Sequence, residues 1–83
     1  MLERRTCHRY WMNRNATVLC GKLILAWHCR VRDMSLDGAG VWLGGAKLLP
    51  VEFDLVIDGY QSPRRCRVAW RWGDFVGLRF PKK

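Results

Sequence analysis

A chain of 83 residues is long enough for one domain with a single core, because a domain of this size buries only about 60–65% of its unfolded surface. Hydrophobic residues make up 49% of it and five are tryptophans, which excludes an extended disordered protein. The net charge of +8, from 15 Lys and Arg against 7 Asp and Glu, attracts nucleotides, nucleic acids or anionic lipid without choosing among them.

Residues 1–14 are predicted to form a flexible basic arm, and residues 15–83 the folded domain. The arm mixes polar, basic and aromatic residues without the period of a helix or a strand. It contains Arg4, Arg5 and Arg9, and guanidinium groups suit phosphates and guanine edges. The alternative is a basic N-terminal tail that binds nothing.

Short strands are predicted to follow the arm. Apolar runs alternate there with Gly, Asp and Pro, a pattern typical of consecutive short strands. The strands are expected near residues 15–20, 23–32, 39–43, 51–57, 64–72 and 75–80. Antiparallel strands without a helical period favour an all-β fold, a small closed or nearly closed six-stranded barrel, since closure removes exposed strand edges.

The end of the second predicted strand leads into the segment Asp33-Met34-Ser35-Leu36-Asp37-Gly38. Asp33 and Ser35 continue the alternation of Val31, so both are expected on one side of the strand as it enters a turn. Gly38 allows a close backbone approach or a positive φ. The alternative is a turn in which Asp33 and Ser35 only satisfy their own backbone.

The strand at 64–72 has the clearest alternation in the chain. One face is predicted to point into the core, and it carries Cys66, Val68, Trp70 and Trp72. Arg67 and Arg71 fall on the other face and are predicted to line a basic surface. Gly73-Asp74 has the glycine-first order of a type II′ hairpin turn. Core faces are also predicted for Phe53, Leu55 and Ile57, for Val76, Leu78 and Phe80, and for Leu23, Leu25, Trp27, Cys29 and Val31.

Two of these segments together resemble the PilZ family. Arg5 and Arg9 match the RxxxR pattern of that family, with Arg4 as an extra arginine. Asp33, Ser35 and Gly38 match its [D/N]xSxxG turn, in the right order and at the right separation. The closing segment 66–80 is similar to the family's last hairpin.

The resemblance implies a six-stranded barrel that is a receptor for the bacterial second messenger cyclic di-GMP. It implies that Arg5 and Arg9 clamp phosphate and guanine with support from Arg4. It also implies that Asp33 and Ser35 contact guanine and ligand, and that Gly38 is the turn glycine. Many members of the family continue into a C-terminal helix, whereas this sequence stops at residues 81–83, so that helix is expected to be absent.

Four cysteines, at positions 7, 20, 29 and 66, show no C-x-x-C spacing, which favours a reducing compartment. The pairs Cys7-His8 and His28-Cys29 could in principle meet around zinc, but packing roles are expected instead, and no metal is predicted.

No apolar stretch reaches the roughly 18 residues of a membrane span, and a cytoplasmic protein is expected. Trp42 is predicted to face outward.

Three functions remain open from the sequence. The first is a cyclic di-GMP receptor that signals to a downstream protein partner. The second is a protein-interaction module with the same fold and no nucleotide, which binds a partner through the uncovered end of the barrel and exposed tryptophans. The third is a basic barrel that binds single-stranded nucleic acid, although nucleic acid is not the expected partner. No catalytic set or phosphate-binding loop is present, so neither an enzyme nor a cofactor is predicted.

Overall fold

The chain folds into a closed barrel of six antiparallel strands, as predicted. The computed structural model describes residues 9–20 and 23–81, with residues 23–26 described by their backbone alone. The strands lie around the barrel in the order β1-β2-β3-β6-β5-β4, and the pairing of β4 with β1 closes it. The helical structure in these residues is a 3-10 turn, Ala46–Leu48. The strand bounds are β1 Tyr10–Cys20, β2 Leu23–Met34, β3 Gly38–Trp42, β4 Glu52–Ile57, β5 Arg64–Trp72 and β6 Phe75–Arg79.

The first strand begins earlier than the predicted residue 15. Tyr10 and Trp11 already pair with the end of β2, so they belong to the barrel wall. The register shifts between Trp11 and Arg14, and such an irregularity removes the two-residue period on which the prediction relied. The rest of the predicted arm, residues 1–8, lies outside the described residues.

One hydrophobic core fills the barrel. Its largest fully buried side chains come from all six strands: Val18, Val31, Val41, Phe53, Leu55, Cys66 and Val76. The alternating faces predicted for β4 and β6 point inward as expected, and burial of each large apolar side chain stabilises the fold by about 1.5–3 kcal/mol. Desolvation raises the pKa of both Cys29 and Cys66 to about 12, so these thiols are neutral packing groups.

A β-bulge near the end of β2 changes which side chains face outward. Val31 pairs with Val41 but Asp33 pairs with Gly40, so β2 has one residue more than β3 over this stretch. An extra residue reverses the alternation that follows it. Met34 is therefore buried in the core and Asp33 lies on the outer face, beside Gly40. The prediction that Asp33 shares the face of Val31 is wrong for this reason.

A second bulge lies in β5, between Val68 and Trp70. Beyond it the faces are exchanged, so that Trp70 and Trp72 lie outside, with 46% and 80% of their surface exposed, instead of in the predicted core. Arg71 moves to the opposite face, where its guanidinium donates a hydrogen bond of 2.6 Å to the Leu49 carbonyl. The prediction that Arg67 and Arg71 line one basic surface is thus also wrong.

The hairpin that joins β5 to β6 turns through Gly73 and Asp74, as predicted. Gly73 has a φ of 61°, whereas Asp74 does not have a positive φ. That combination is the one required by a type II′ turn, and glycine adopts it without the steric strain of a Cβ atom.

Candidate ligand-binding site

Five directly paired residues form a row across the outer face of the barrel. Trp11 pairs with Asp33, Asp33 with Gly40, Gly40 with Gly77, and Gly77 with Trp70. The two glycines leave the middle of the row without side chains, between a carboxylate on one side and an indole on the other. Both ends of the row are therefore tryptophans, and the Asp33 carboxylate lies beside Trp11.

Neither glycine of the row leaves room for a side chain. A Cβ on Gly40 would lie 3.0 Å from both Asp33 Oδ2 and Phe75 Cζ. A Cβ on Gly77 would overlap the Trp70 indole, which covers that glycine. The glycines thus allow Asp33 and Trp70 to lie close to the barrel wall.

Aromatic side chains form a second row beside the first. Trp42 pairs with Phe75, and Phe75 pairs with Trp72. The Phe75 ring lies 4.5 Å from that of Trp42 and 5.5 Å from that of Trp70, centroid to centroid, and it is only 7% exposed. Trp42 faces outward, as predicted, and is 47% exposed. Phe75 is thus the floor of an outer-face cluster rather than a core residue.

The two rows enclose a cleft of about 410 Å³, which we call the aspartate cleft. A second cleft of about 230 Å³ adjoins it and includes Gly38 and Arg79 in its lining. Arg9 and Trp70 line both clefts and so separate them. The residues that line the aspartate cleft are Arg9, Arg32, Asp33, Gly40, Trp42, Trp70, Trp72 and Phe75.

Asp33 is a nearly buried carboxylate held by two arginines. Its side chain is 6% exposed, its Oδ2 accepts a hydrogen bond of 3.2 Å from Arg32 Nε, and its Oδ1 lies 3.4 Å from Arg9 Nη1. Within residues 9–20 and 23–81, Oδ1 has no hydrogen-bond partner of good geometry. An unsatisfied acceptor on a buried carboxylate is costly, so this atom favours a ligand with an N–H donor.

Ser35 holds the turn between β2 and β3. Its hydroxyl accepts hydrogen bonds from the N–H groups of Asp37 and Gly38, at 3.2 and 3.3 Å. Its own N–H donates to the Gly38 carbonyl at 2.8 Å. The side chain therefore fixes the turn that positions the end of β2, and it also lines the smaller cleft.

Position 38 requires a glycine because β6 approaches the backbone closely there. The backbone conformation is not the reason, since the φ of Gly38 is not positive. A Cβ at this position would overlap the Leu78 carbonyl oxygen. We expect Gly38→Ala to lower the stability of the domain by about 1–3 kcal/mol, because the β3–β6 pairing must open to admit the methyl group. Thermal unfolding followed by circular dichroism measures the loss, as a midpoint lower by several degrees.

The matched control is Gly44→Ala. A Cβ there meets nothing within 4 Å, and the φ of Gly44 is not positive. That variant should unfold at the wild-type temperature. Equal midpoints for the two variants would show that the approach of β6 does not select glycine at position 38.

The structure brings four of the six predicted site residues to this outer face: Arg9, Asp33, Ser35 and Gly38. Arg4 and Arg5 lie outside the described residues. The predicted set omitted Arg32, Gly40, Phe75, Trp70 and Gly77. Their placement depends on cross-strand register and on two bulges, which the local sequence pattern did not reveal.

A sequence model of the PilZ domain matches residues 3–83, and the chain belongs to the PilZ domain family. The match spans both motifs and all six strands. A comparison with curated proteins found no match. Among the described residues, no helix has the length and apolarity needed to cross a membrane.

Proposed function

We propose that this domain is a receptor for cyclic di-GMP and that it binds a guanine base in the aspartate cleft. PilZ domains are a family of cyclic di-GMP receptors. The observation that carries the proposal is Asp33, a carboxylate 6% exposed with an unsatisfied oxygen beside an aromatic cleft. Guanine presents N1–H and an N2 amino group side by side, and a carboxylate accepts both, whereas adenine lacks this pair of donors.

The walls of the cleft suit a planar base and its phosphates. The Trp70 indole covers Gly77, and about half of the surface of Trp70 is exposed. Stacking of a base on such a ring contributes about 1–3 kcal/mol. Arg9 stands between the two clefts, where its guanidinium can donate to a phosphate or to guanine O6 and N7. We assign Arg4 and Arg5 to the same phosphate clamp.

Ligand binding, rather than catalysis, is the proposed output of the domain. A bound dinucleotide changes the surface presented by Arg9, Trp42 and Trp70, and a downstream protein partner then reads that change. We place the protein in the bacterial cytoplasm, where the messenger is made. The free thiols of Cys20, Cys29 and Cys66 suit that reducing compartment.

Isothermal titration calorimetry with cyclic di-GMP and cyclic di-AMP tests the proposal. We expect cyclic di-GMP to bind at least about fivefold more tightly, since each mismatched bidentate contact costs about 1–3 kcal/mol. GMP is the control for recognition of a single base. Equal affinity for the two cyclic dinucleotides would contradict the assignment of Asp33 to guanine.

Single-stranded nucleic acid is the second candidate, and it is favoured by Trp11 and Trp72, which are 75% and 80% exposed. Titrations at several salt concentrations separate the two functions. Contact with many phosphates gives a steep loss of affinity with salt, whereas a ligand with two phosphates gives a shallow one. We expect the shallow dependence for cyclic di-GMP and no saturable binding of a short oligonucleotide.

A further inference from the structure

Arg32 lies outside both family motifs, yet it makes the closest contacts in the aspartate cleft. Its Nε donates to Asp33 Oδ2 at 3.2 Å, and its guanidinium carbon lies 4.2 Å from the centroid of the Phe75 ring. The centroid of the Trp11 ring lies 5.0 Å from the same guanidinium carbon. The side chain is nevertheless 41% exposed, and it lines the cleft.

The guanidinium of Arg32 has the chemistry of the guanine edge. Both are flat groups built on a carbon that carries three nitrogens, and both present N–H donors that match a carboxylate. Both also stack on aromatic faces. Arg32 therefore makes, within the chain, the kinds of contact that a guanine would make to Asp33 and to the aromatic residues of the cleft.

The β2 bulge explains how this arrangement arises. In a regular strand, consecutive side chains point to opposite faces. Because β2 has an extra residue between Val31 and Asp33, Arg32 reaches the outer-face ring of Phe75 while Asp33 also lies on the outer face. The neighbouring side chains can then form their hydrogen bond outside the barrel, within the ligand cleft.

We propose that Arg32 is an internal competitor for the guanine position, which cyclic di-GMP must displace from Asp33 and Phe75 before it binds fully. This inference rests on the proposed function. A site that is open only part of the time has its apparent affinity reduced by the open fraction. Arg32 thereby sets the ligand concentration at which the receptor responds, without contributing to the bound state.

The opposite role for Arg32 makes an opposite prediction. If its guanidinium stayed in the cleft and donated to phosphate or to the base, its removal would weaken binding, as for any charge-assisted contact. Loss of a positive charge near a dianionic ligand acts in the same direction. A gain in affinity on removal of Arg32 therefore has to come from release of the competitor.

Titration of Arg32→Met with cyclic di-GMP tests the proposal, and Arg30→Met is the matched control. Arg30 is on the same strand and pairs with Trp42, but it does not line the cleft, and its guanidinium donates to Asn13 at 2.9 Å. Both variants lose one charge and gain the same side chain. We expect Arg32→Met to bind about tenfold more tightly than Arg30→Met, as release from a site that is open about one tenth of the time requires.

Each outcome of this titration decides a question. If the wild type binds cyclic di-GMP and Arg32→Met binds it equally or more weakly, the proposal that Arg32 competes with guanine is overturned. The receptor function is then unaffected. No binding by the wild type or by either variant overturns the receptor function and the competitor with it. If Arg32→Met does not fold, Arg32→Lys decides, because it keeps the charge but loses the flat group. It should bind more tightly than the wild type, and weaker or equal binding overturns the proposal.

The side chain can also be observed directly. The Phe75 and Trp11 rings should shift the Arg32 Nε–H proton resonance in the free protein. Saturation with cyclic di-GMP should remove that ring-current shift, because the guanidinium leaves both rings. An unchanged Arg32 resonance in the saturated complex would overturn the displacement.

Discussion

Asp33→Asn is expected to weaken cyclic di-GMP binding by about 5- to 150-fold, which corresponds to one bidentate contact of about 1–3 kcal/mol. The substitution keeps the shape of the side chain. It replaces one of two acceptor oxygens by an NH₂ group, which would face a donor of the guanine edge. The preference for guanine over adenine should fall with the affinity. Calorimetry with both cyclic dinucleotides measures both effects.

Asp54→Asn is the matched control for this variant. Asp54 is a partly exposed carboxylate on β4 that is paired with Arg65 at 3.3 Å, and it does not line either cleft. We expect wild-type affinity and wild-type selectivity from it. If Asp33→Asn retained the full preference for guanine, another residue would have to read the base.

Arg9→Ala is expected to weaken cyclic di-GMP binding by about 10- to 150-fold, the effect of losing a charged hydrogen-bonding group worth about 1.5–3 kcal/mol. Arg9 precedes β1, is 43% exposed, and contributes no side chain to the core, so the fold should persist. Arg5→Ala should behave in the same way. Affinity is measured by calorimetry and folding by circular dichroism on the same samples.

The control for Arg9 is Arg65→Ala, since Arg65 is an exposed arginine whose partners are Glu52 and Asp54 on β4. That variant loses the same charge at a residue that lines neither cleft, and it should bind within about twofold of the wild type, the size of a screened long-range effect. An Arg9→Ala protein that was unfolded would instead identify Arg9 as a structural residue, and the clamp would be refuted.

The regular parts of the barrel were predictable from the sequence because their side chains alternate strictly. Phe53, Leu55 and Ile57 on β4 point inward, as do Val76 and Leu78 on β6. Where no residue is inserted, the period of two in the sequence is also the period of the faces. The closed six-stranded barrel was expected from these strands and from the family resemblance, whereas the order of the strands around it was not predicted.

The two bulges account for most of what the sequence did not predict. The apolar alternation of Val68, Trp70 and Trp72 continues through the β5 bulge. The amino-acid sequence therefore does not show the point at which the inward and outward faces of β5 change places. In β2, two polar residues, Arg32 and Asp33, stand between the buried Val31 and Met34, and the prediction continued the two-residue period through them. A bulge depends on how two strands pair, which is a tertiary property.

The composition of the candidate site was only partly predictable for a related reason. Arg9, Asp33, Ser35 and Gly38 belong to motifs that the sequence displays. Gly40 and Gly77, in contrast, lie 37 positions apart and become neighbours only through the register of β3 with β6. Arg32 joins the site because the bulge beside it places Asp33 on the outer face of the barrel as well.

A guanine nucleotide is expected to bind in the aspartate cleft on the outer face, and a ¹H–¹⁵N spectrum of the domain titrated with cyclic di-GMP tests this expectation most directly. Trp70 lines both clefts, whereas the Trp27 indole donates to the Gly44 carbonyl at 3.0 Å and lines neither. We predict large saturable shifts for the Trp70 indole N–H and for the Gly40 and Gly77 amides, with the Trp27 indole unchanged. Saturable shifts at Trp27 with Trp70, Gly40 and Gly77 unmoved would contradict the account.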